Sequence, residues 1–334
     1  MLGTEANPWH LPLSLADETV LIPRASAGDA YLQAMEGLIL NHGIELVVPT
    51  HPVEVRAIGA VRDRLGAKTY LPAQEVIERG DDKWRSYRAW AEAGIPVPRT
   101  DLLESPDDLA RIFREVERRP IWVRGAGIPG AGIGVASLPC RELDQAQAWV
   151  GFWKGWGKMI ASEYLPGENL TWMSLWWEGE LVASQARERL EYVLPHVSPS
   201  GITGAPAVSR TVSRPDLDEL GPRALRAVDP HPHGVYFLDL KGDPEGQPRI
   251  TEVNAGRFGT TVHFYTEAGF NFPWLYVQLA LGLPHEAPPR TGVLPPGIWW
   301  IRTLDCGPAI VRDGSAFELP LGASWTGPGP LGRT

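Results

Sequence analysis

The feature that most constrains this chain is a pair of apolar runs, GVYFLDLKGD (234–243) and PRITEVNA (248–255), separated by a short turn near Asp243 to Gly246. Short apolar runs bounded by Gly and Pro read as strands, and the spacing predicts a hairpin. Alternate residues of a strand share a face, so Glu252 and Asn254 point the same way, and pairing across the turn brings Asp239 to join them. The flanking residues are apolar (Val235, Tyr236, Phe237, Leu238, Ile250, Val253), which sets the acids at the edge of a core. A carboxylate buried there without a partner is costly. Two carboxylates and an amide oxygen are hard ligands that suit Mg²⁺ carrying nucleotide phosphates better than zinc. The competing reading is a polar strand pair with solvated charges. Arg257, three residues beyond Asn254, is placed to face phosphates.

The rest of the chain alternates strands and helices. ETVLIP (18–23), IELVVP (44–49) and AKTYLP (67–72) read as strands, with helices over about 31–43 and 53–65 between them. That order suggests an open parallel sheet. Asp81 and Asp82 open a helix that stops at Gly94, and GIPVPRT is an extended connector. A second helix begins at Ser105 and Pro106, with Leu109, Ile112, Phe113 and Val116 on its apolar face. PIWVRG and KMIASEYL read as strands with the helix ELDQAQAWVGFWKGW between them. LTWMSLWWEGELVASQARER reads as a hairpin turning at Glu178–Gly179, and FPWLYVQLALG as a closing helix. Beyond about 288 only short strands are assigned.

Gly125, Gly127 and Gly130 satisfy G-x-G-x-x-G, but a dinucleotide site needs a helix inside the motif and an acid about 20 residues on. The following AGIGVASL is strand-like and position 150 is Val. The better reading is strand, glycine loop, strand, in which bare backbone approaches phosphate oxygens and Arg124 meets a phosphate through two N–H donors. An ordinary glycine-rich hairpin with a surface Arg is the bland alternative.

Composition narrows the class. The 334 residues carry a net charge of -9 and no basic run, which argues against a free-standing nucleic-acid binder. Two cysteines, Cys140 and Cys306, lack metal-type spacing and are read as structural, fitting a reducing compartment. No apolar run approaches the roughly 18 residues of a membrane span, and the N-terminus lacks signal-peptide character. The expectation is a cytoplasmic protein with no nucleic-acid or membrane partner. His231 and His233, in DPHPHG, are read as loop residues rather than a metal pair. His263 and Tyr265 are candidates to line an acceptor pocket. Among 14 tryptophans, packing is the default for Trp84, Trp90 and Trp122; Trp176, Trp177, Trp299 and Trp300 have an apolar substrate wall as a second reading.

Taken in order, five segments resemble the ATP-grasp superfamily, nearest to its carbamoyl-phosphate-synthetase-like and biotin-carboxylase-like ligases. They are DDKWRSYRAWAEAGIPVPRT, PIWVRGAGIPGAGIGV, IASEYLPGEN, SQARERLEYV and FLDLKGDPEGQPRITEVNAGRFG, and the resemblance spans about 40 to 285. It implies an α/β (α+β) ATP-grasp fold with a shortened Rossmann-like amino-terminal domain over 1–80, the family's first strand–helix unit being absent. The ATP-grasp domain would be 81–290, with a lid at about 120–162 whose glycine loop carries Gly130 and Gly132 over the triphosphate. A carboxy-terminal extension would occupy 291–334.

The same resemblance assigns roles. Lys83 and Arg124 would contact ATP phosphates. Glu163 would accept from the adenine amino group, and the backbone of Tyr164 and Leu165 would line the ring. Glu168 would serve the ribose, beside Asn169 where the family often has an acid. Asp239, Glu252 and Asn254 would hold two Mg²⁺ ions, with Mn²⁺ as a substitute. Arg257, and one of Arg187 or Arg189, would stabilise the transferred phosphoryl group. The expected activity is carboxylate–amine ligation through an acyl phosphate, with small-molecule acid and amine substrates and a homodimer as the candidate assembly. The alternatives are a bicarbonate-activating, carboxyphosphate-forming enzyme and a non-catalytic nucleotide-binding subunit.

Overall fold

In a computed structural model, the described residues are 1–117, 119–128, 136–202, 204–304 and 309–312. The chain opens with strand β1 (Leu2–Glu5), a 3₁₀ turn (Pro8–Leu13), strand β2 (Glu18–Leu21), helix α1 (Asp29–His42), strand β3 (Leu46–Val47), helix α2 (Pro52–Val61) and strand β4 (Lys68–Thr69). β1 thus supplies an opening strand that the sequence leaves out, but a 3₁₀ turn stands where a helix would connect it to β2. β1 pairs parallel with β2 and β3 with β4, as two separate two-stranded sheets rather than one open sheet. The apolar runs end in Pro23, Pro49 and Pro72, each lacking the N–H needed to extend a ladder. Tyr31, Met35 and Ile39 of α1, spaced by four, pack with Val55 and Ile58 of α2.

Helices α3 (Gln74–Asp81) and α4 (Lys83–Glu92) follow. The helix expected from Asp81 and Asp82 is α4, and α3 is a further helix before it that the sequence reading does not assign. Asp81 closes the first, and Asp82 caps the second by accepting from the backbone N–H groups of Trp84 and Arg85 at 3.0 and 3.1 Å. Next come β5 (Thr100–Leu102), α5 (Pro106–Glu115), β6 (Ile121–Gly125), β7 (Leu138–Cys140), α6 (Leu143–Phe152) and β8 (Met159–Glu163). These strands form an antiparallel sheet in the order β5-β8-β6-β7. It has its own core, to which α5 contributes Leu109, Ile112 and Phe113 and α6 contributes Ala146 and Val150. β6 and β7, on either side of the glycine stretch, are antiparallel neighbours, whereas a dinucleotide-binding unit joins parallel strands through a helix; residues 129–135 of the stretch lie outside the described residues.

The remaining elements are β9 (Asn169–Trp177), β10 (Glu180–Tyr192), β11 (Pro206–Thr211), α7 (Pro215–Val228), β12 (Gly234–Gly242), β13 (Pro248–Ala255), α8 (Val262–Ala268), α9 (Phe272–Leu281), β14 (Ile298–Ile301) and β15 (Ala309–Arg312). The strands make a seven-stranded antiparallel sheet, β13-β12-β9-β10-β11-β14-β15. Both faces of β9 are covered, so it reads as one apolar run instead of an alternation. Leu170, Trp172 and Trp176 pack with α3, α4 and α7 on one side. Met173 and Leu175 pack with α8 and α9 on the other.

The tryptophans follow these cores. Trp90 and Trp172 are buried and bonded through their indole N–H groups to the Ala224 carbonyl and to Asp218. Trp176 and Trp300 are also core residues, Trp177 packs against Tyr70 and His233, and Trp299 lies under Arg210, so these four make no substrate wall. His233 accepts from the Glu178 N–H at 3.3 Å and fixes the β9–β10 turn. Burial pushes the Cys140 thiol up to about 12, that of an inert structural cysteine; Cys306 lies outside the described residues.

Candidate functional site

One face of the large sheet builds the floor of the site. Across β10, β9, β12 and β13 the register aligns Arg187, Thr171, Asp239 and Glu252 in a single row. The row on one side holds Arg189, Asn169 and Lys241, and the row on the other includes Met173, Phe237 and Asn254. Residues two apart share a face, so the three rows present their side chains together. A register shift just after Asp239 and Glu252 interrupts the β12–β13 ladder there, as bulges beside functional sites often do. The four-stranded sheet supplies the opposite wall through Trp122, Arg124, Ser162 and Glu163. The cleft between has a volume of about 870 Å³.

Glu252 and Asp239 are paired with cations of the cleft. Glu252 lies 3.4 Å from Lys83 Nζ and 3.4 Å from Arg124. Arg124 also donates to the Thr251 carbonyl at 2.6 Å, tying β6 to β13. Asp239 accepts from Thr171 Oγ1 at 2.9 Å and lies 3.3 Å from Arg189. Arg257 donates to Asn254 Oδ1 at 2.7 Å and lies over the Phe237 ring. Burial alone would raise the Glu252 carboxyl, but Lys83, Arg124 and Arg257 outweigh it and hold the group below its ordinary value. Burial lowers the Arg124 and Arg257 guanidiniums, against the pull of Glu252 and Asp239. Seven cationic side chains and four carboxylates line the cleft among the described residues.

One end of the cleft is apolar, with Pro98, Trp122, Tyr164, Leu165 and Leu240 in its wall. Here the Glu163 carboxylate accepts from the Arg99 backbone N–H at 3.1 Å, and the Glu163 N–H donates to the Arg99 carbonyl, extending the β5–β8 ladder to the edge of the cleft. Glu168 is outside the wall, with its carboxylate 2.7 Å from Arg214; Asn169 lines the cleft in its place and accepts from Lys241 at 3.0 Å. Lys241 is a site residue that the motif reading omits, although its position two residues after Asp239 was signal enough. Gly130 and Gly132 lie outside the described residues. Gly127 is in the wall with φ +74°, and its Cα approaches Asp81 so closely that a Cβ would meet the carbonyl oxygen at 2.5 Å.

At the other end, Arg187, Tyr192, Ser198, Ile202 and Thr260 line the wall. Tyr265 is buried behind Arg187, whereas His263 is exposed, pairs with Glu267 at 3.2 Å and is not in the cleft. The donor set on the floor is two carboxylates and one amide, and no group of three or more His, Cys, Asp or Glu gathers among the described residues. That chemistry fits a hard divalent cation and not zinc. Buried guanidinium nitrogens without partners, the Nε atoms of Arg124, Arg187 and Arg189, fit an anion beside it.

No family model matches the chain. Among curated proteins it is similar to a D-alanine–D-alanine ligase of Laribacter hongkongensis (strain HLHK9), at 27% identity over 215 residues, 60% of this chain. The match spans 65% of that relative's length, a little under two thirds. Among solved structures, the biotin carboxylase domain of Hydrogenobacter thermophilus 2-oxoglutarate carboxylase, in complex with MgADP, ADP and bicarbonate, covers 90% of this chain. The TM-score is 0.67, with 15% identity and 67% of that domain's chain covered. Carboxyaminoimidazole ribonucleotide synthase of Aspergillus clavatus, complexed with ATP, also covers 90%, at TM-score 0.65 and 16% identity over 74% of its own chain.

Proposed function

We propose, for a chain that has the ATP-grasp fold, the activity of an ATP-dependent carboxylate–amine ligase. The observation that carries this reading is the convergence of Asp239, Glu252 and Asn254 with Lys83, Arg124, Arg189 and Arg257 in one cleft. The likeness to a D-alanine–D-alanine ligase supports the reaction class, and the nucleotides in the neighbouring structures support ATP as a substrate. In this reading adenine lies in the apolar end, against Trp122, Tyr164 and Leu165, with Glu163 facing its amino group. Lys83 and Arg124 bind phosphates. Asp239, Glu252 and Asn254 hold Mg²⁺, two ions by the family pattern. Bound there, the metal neutralises and orients phosphate oxygens.

The chemistry needs two displacements. A carboxylate oxygen attacks the γ-phosphorus in line, the bond to the bridging oxygen breaks and ADP leaves. The amine nitrogen then attacks the acyl carbon of the mixed anhydride, inorganic phosphate departs with the bonding pair, and the nitrogen loses a proton. The protein's part is to position and to balance charge. Arg189 and Arg257 are tethered to Asp239 and Asn254, so their charges stand ready beside the transferring group. The wall built by β6 and β8 excludes water from the anhydride. A reducing, cytoplasmic setting belongs to the same reading.

The test is ADP formation by purified protein with Mg²⁺, ATP and pools of carboxylates and amines. ADP release that requires both an acid and an amine is the expected result. Release driven by bicarbonate alone would identify a carboxyphosphate-forming enzyme. Nucleotide binding with no release in any pool would leave a binding subunit.

A further inference from the structure

Two arginines of β10 share one sheet face but have different partners. Arg189 is 3.3 Å from Asp239 and donates to the Leu170 carbonyl, which commits it to the metal-binding side. Arg187 is only 6% exposed, yet its described contacts are the Thr261 hydroxyl and the Tyr265 ring, 5.7 Å from the guanidinium. Its Nε has no hydrogen-bond partner, and neither do the buried hydroxyls of Tyr192 and Tyr265. Burial raises both phenols above their ordinary value, so they remain O–H donors. Burying a guanidinium and two hydroxyls with donors to spare is costly unless an acceptor completes them.

The row alignment says where that acceptor sits. Arg187 is two strands from Asp239, with Thr171 between, roughly 10 Å at the usual strand spacing. A phosphoryl group held over Asp239 and Glu252 and a carboxylate held by Arg187 therefore meet above Thr171. Beyond Arg187 the cleft continues into a recess of about 10 Å³, walled by Met173, Phe237, Val262 and Tyr265. That is about the room of one water molecule, in a lining that is apolar apart from Arg187, Thr171 and Thr261, so only the smallest group fits without the wall giving way.

We infer that Arg187, with Tyr192 and Tyr265, is the socket for the acid substrate's carboxylate, and that the acid is compact, with a short apolar chain directed into this recess. The inference rests on the ligase reading above and names its substrate class. Arg187 is then a specificity residue for the acid, and Arg189 and Arg257 serve the phosphoryl group.

Hydroxylamine tests this without knowledge of the amine, because it attacks an acyl phosphate to give a hydroxamate and inorganic phosphate. Acetate, propionate, butyrate and hexanoate serve as acids, and a fluorescent ATP analogue with Mg²⁺ reports nucleotide affinity separately. The wild type is expected to favour acetate and propionate. Arg187→Gln is expected to raise the KM for acid roughly 10- to 100-fold, the value of hydrogen bonds to a charged group, with analogue affinity held. Tyr265→Phe, which keeps the ring, raises the acid KM in the same direction. Met173→Ala enlarges the recess and moves the preference toward butyrate. Overturning results are equal loss of acid and nucleotide affinity in Arg187→Gln, a wild type indifferent to chain length, or analogue binding with no hydroxamate from the short acids. A wild type that fails to bind the analogue would instead sink the ligase reading itself.

Discussion

Glu252 stands between Lys83 and Arg124, at 3.4 Å from each, and this geometry fixes what its loss would do. Glu252→Gln keeps the shape but removes the charge that balances both cations and the oxygen a metal needs. ATP turnover is expected to fall by about 10²- to 10³-fold with unchanged circular dichroism, a loss of the size seen when a key electrostatic group is removed; a variant that turns over normally would remove the metal assignment. The same residue sets a pH dependence. Its folded carboxyl titrates below the unfolded one, so it stabilises the native state above the ordinary glutamate value near pH 4.3. That contribution is lost as pH falls through the lower, folded value. In metal-free protein Glu252→Gln should flatten the acid limb of the stability curve, and an unaltered limb would contradict the pairing. Gly127 gives a second residue-scale expectation. Its positive φ and the 2.5 Å approach of a Cβ to the Asp81 carbonyl predict about 1–3 kcal/mol of strain in Gly127→Ala, read as weaker nucleotide binding and a lower unfolding midpoint.

Helix α4 begins at Lys83, and its start is set by the Asp82 cap. Asp82→Ala is expected to cost about 1 kcal/mol in urea unfolding, up to about 2, and to weaken nucleotide binding by loosening Lys83; Asp82→Ser should recover most of both. An Ala variant with full stability and affinity would show that packing alone sets the helix start. That cap was visible in DDKW, but not the helix before it. α3 has only eight residues, and its buried Val76, Ile77 and Gly80 give too short an apolar pattern to read as a helix. α7 was hidden for a different reason. It contains Gly221 and Pro222, residues that punctuate most sequences, and the glycine is needed because a Cβ there would lie 2.6 Å from the Trp172 ring. The β12–β13 hairpin, in contrast, was legible throughout, since two apolar runs, one turn and three polar residues of fixed spacing leave little freedom. Arg187 and Tyr265 could not be matched from sequence, being joined by the packing of α8 on the sheet and by no local pattern.

At the scale of the molecule, the cleft lies between two sheets with separate cores, bridged by Arg124 on Thr251. A ligand that touches both walls stabilises the whole. Saturation at about 100 times the dissociation constant adds about 2.7 kcal/mol, which is roughly 4 °C in the unfolding midpoint for a chain of this length. The rise should appear with MgATP and vanish with chelator; equal shifts with and without metal would separate the carboxylates from nucleotide binding. No helix among the described residues is long and apolar enough to cross a membrane. The surplus of guanidinium and ammonium groups in the cleft sits inside a chain whose net charge is -9. On the ligase reading, a long polyphosphate would have to lie along a repelling exterior, whereas a mononucleotide would reach the basic slot and leave that exterior behind. That reading predicts a preference for short phosphate esters over long ones, which added salt should blunt as it screens the outer field.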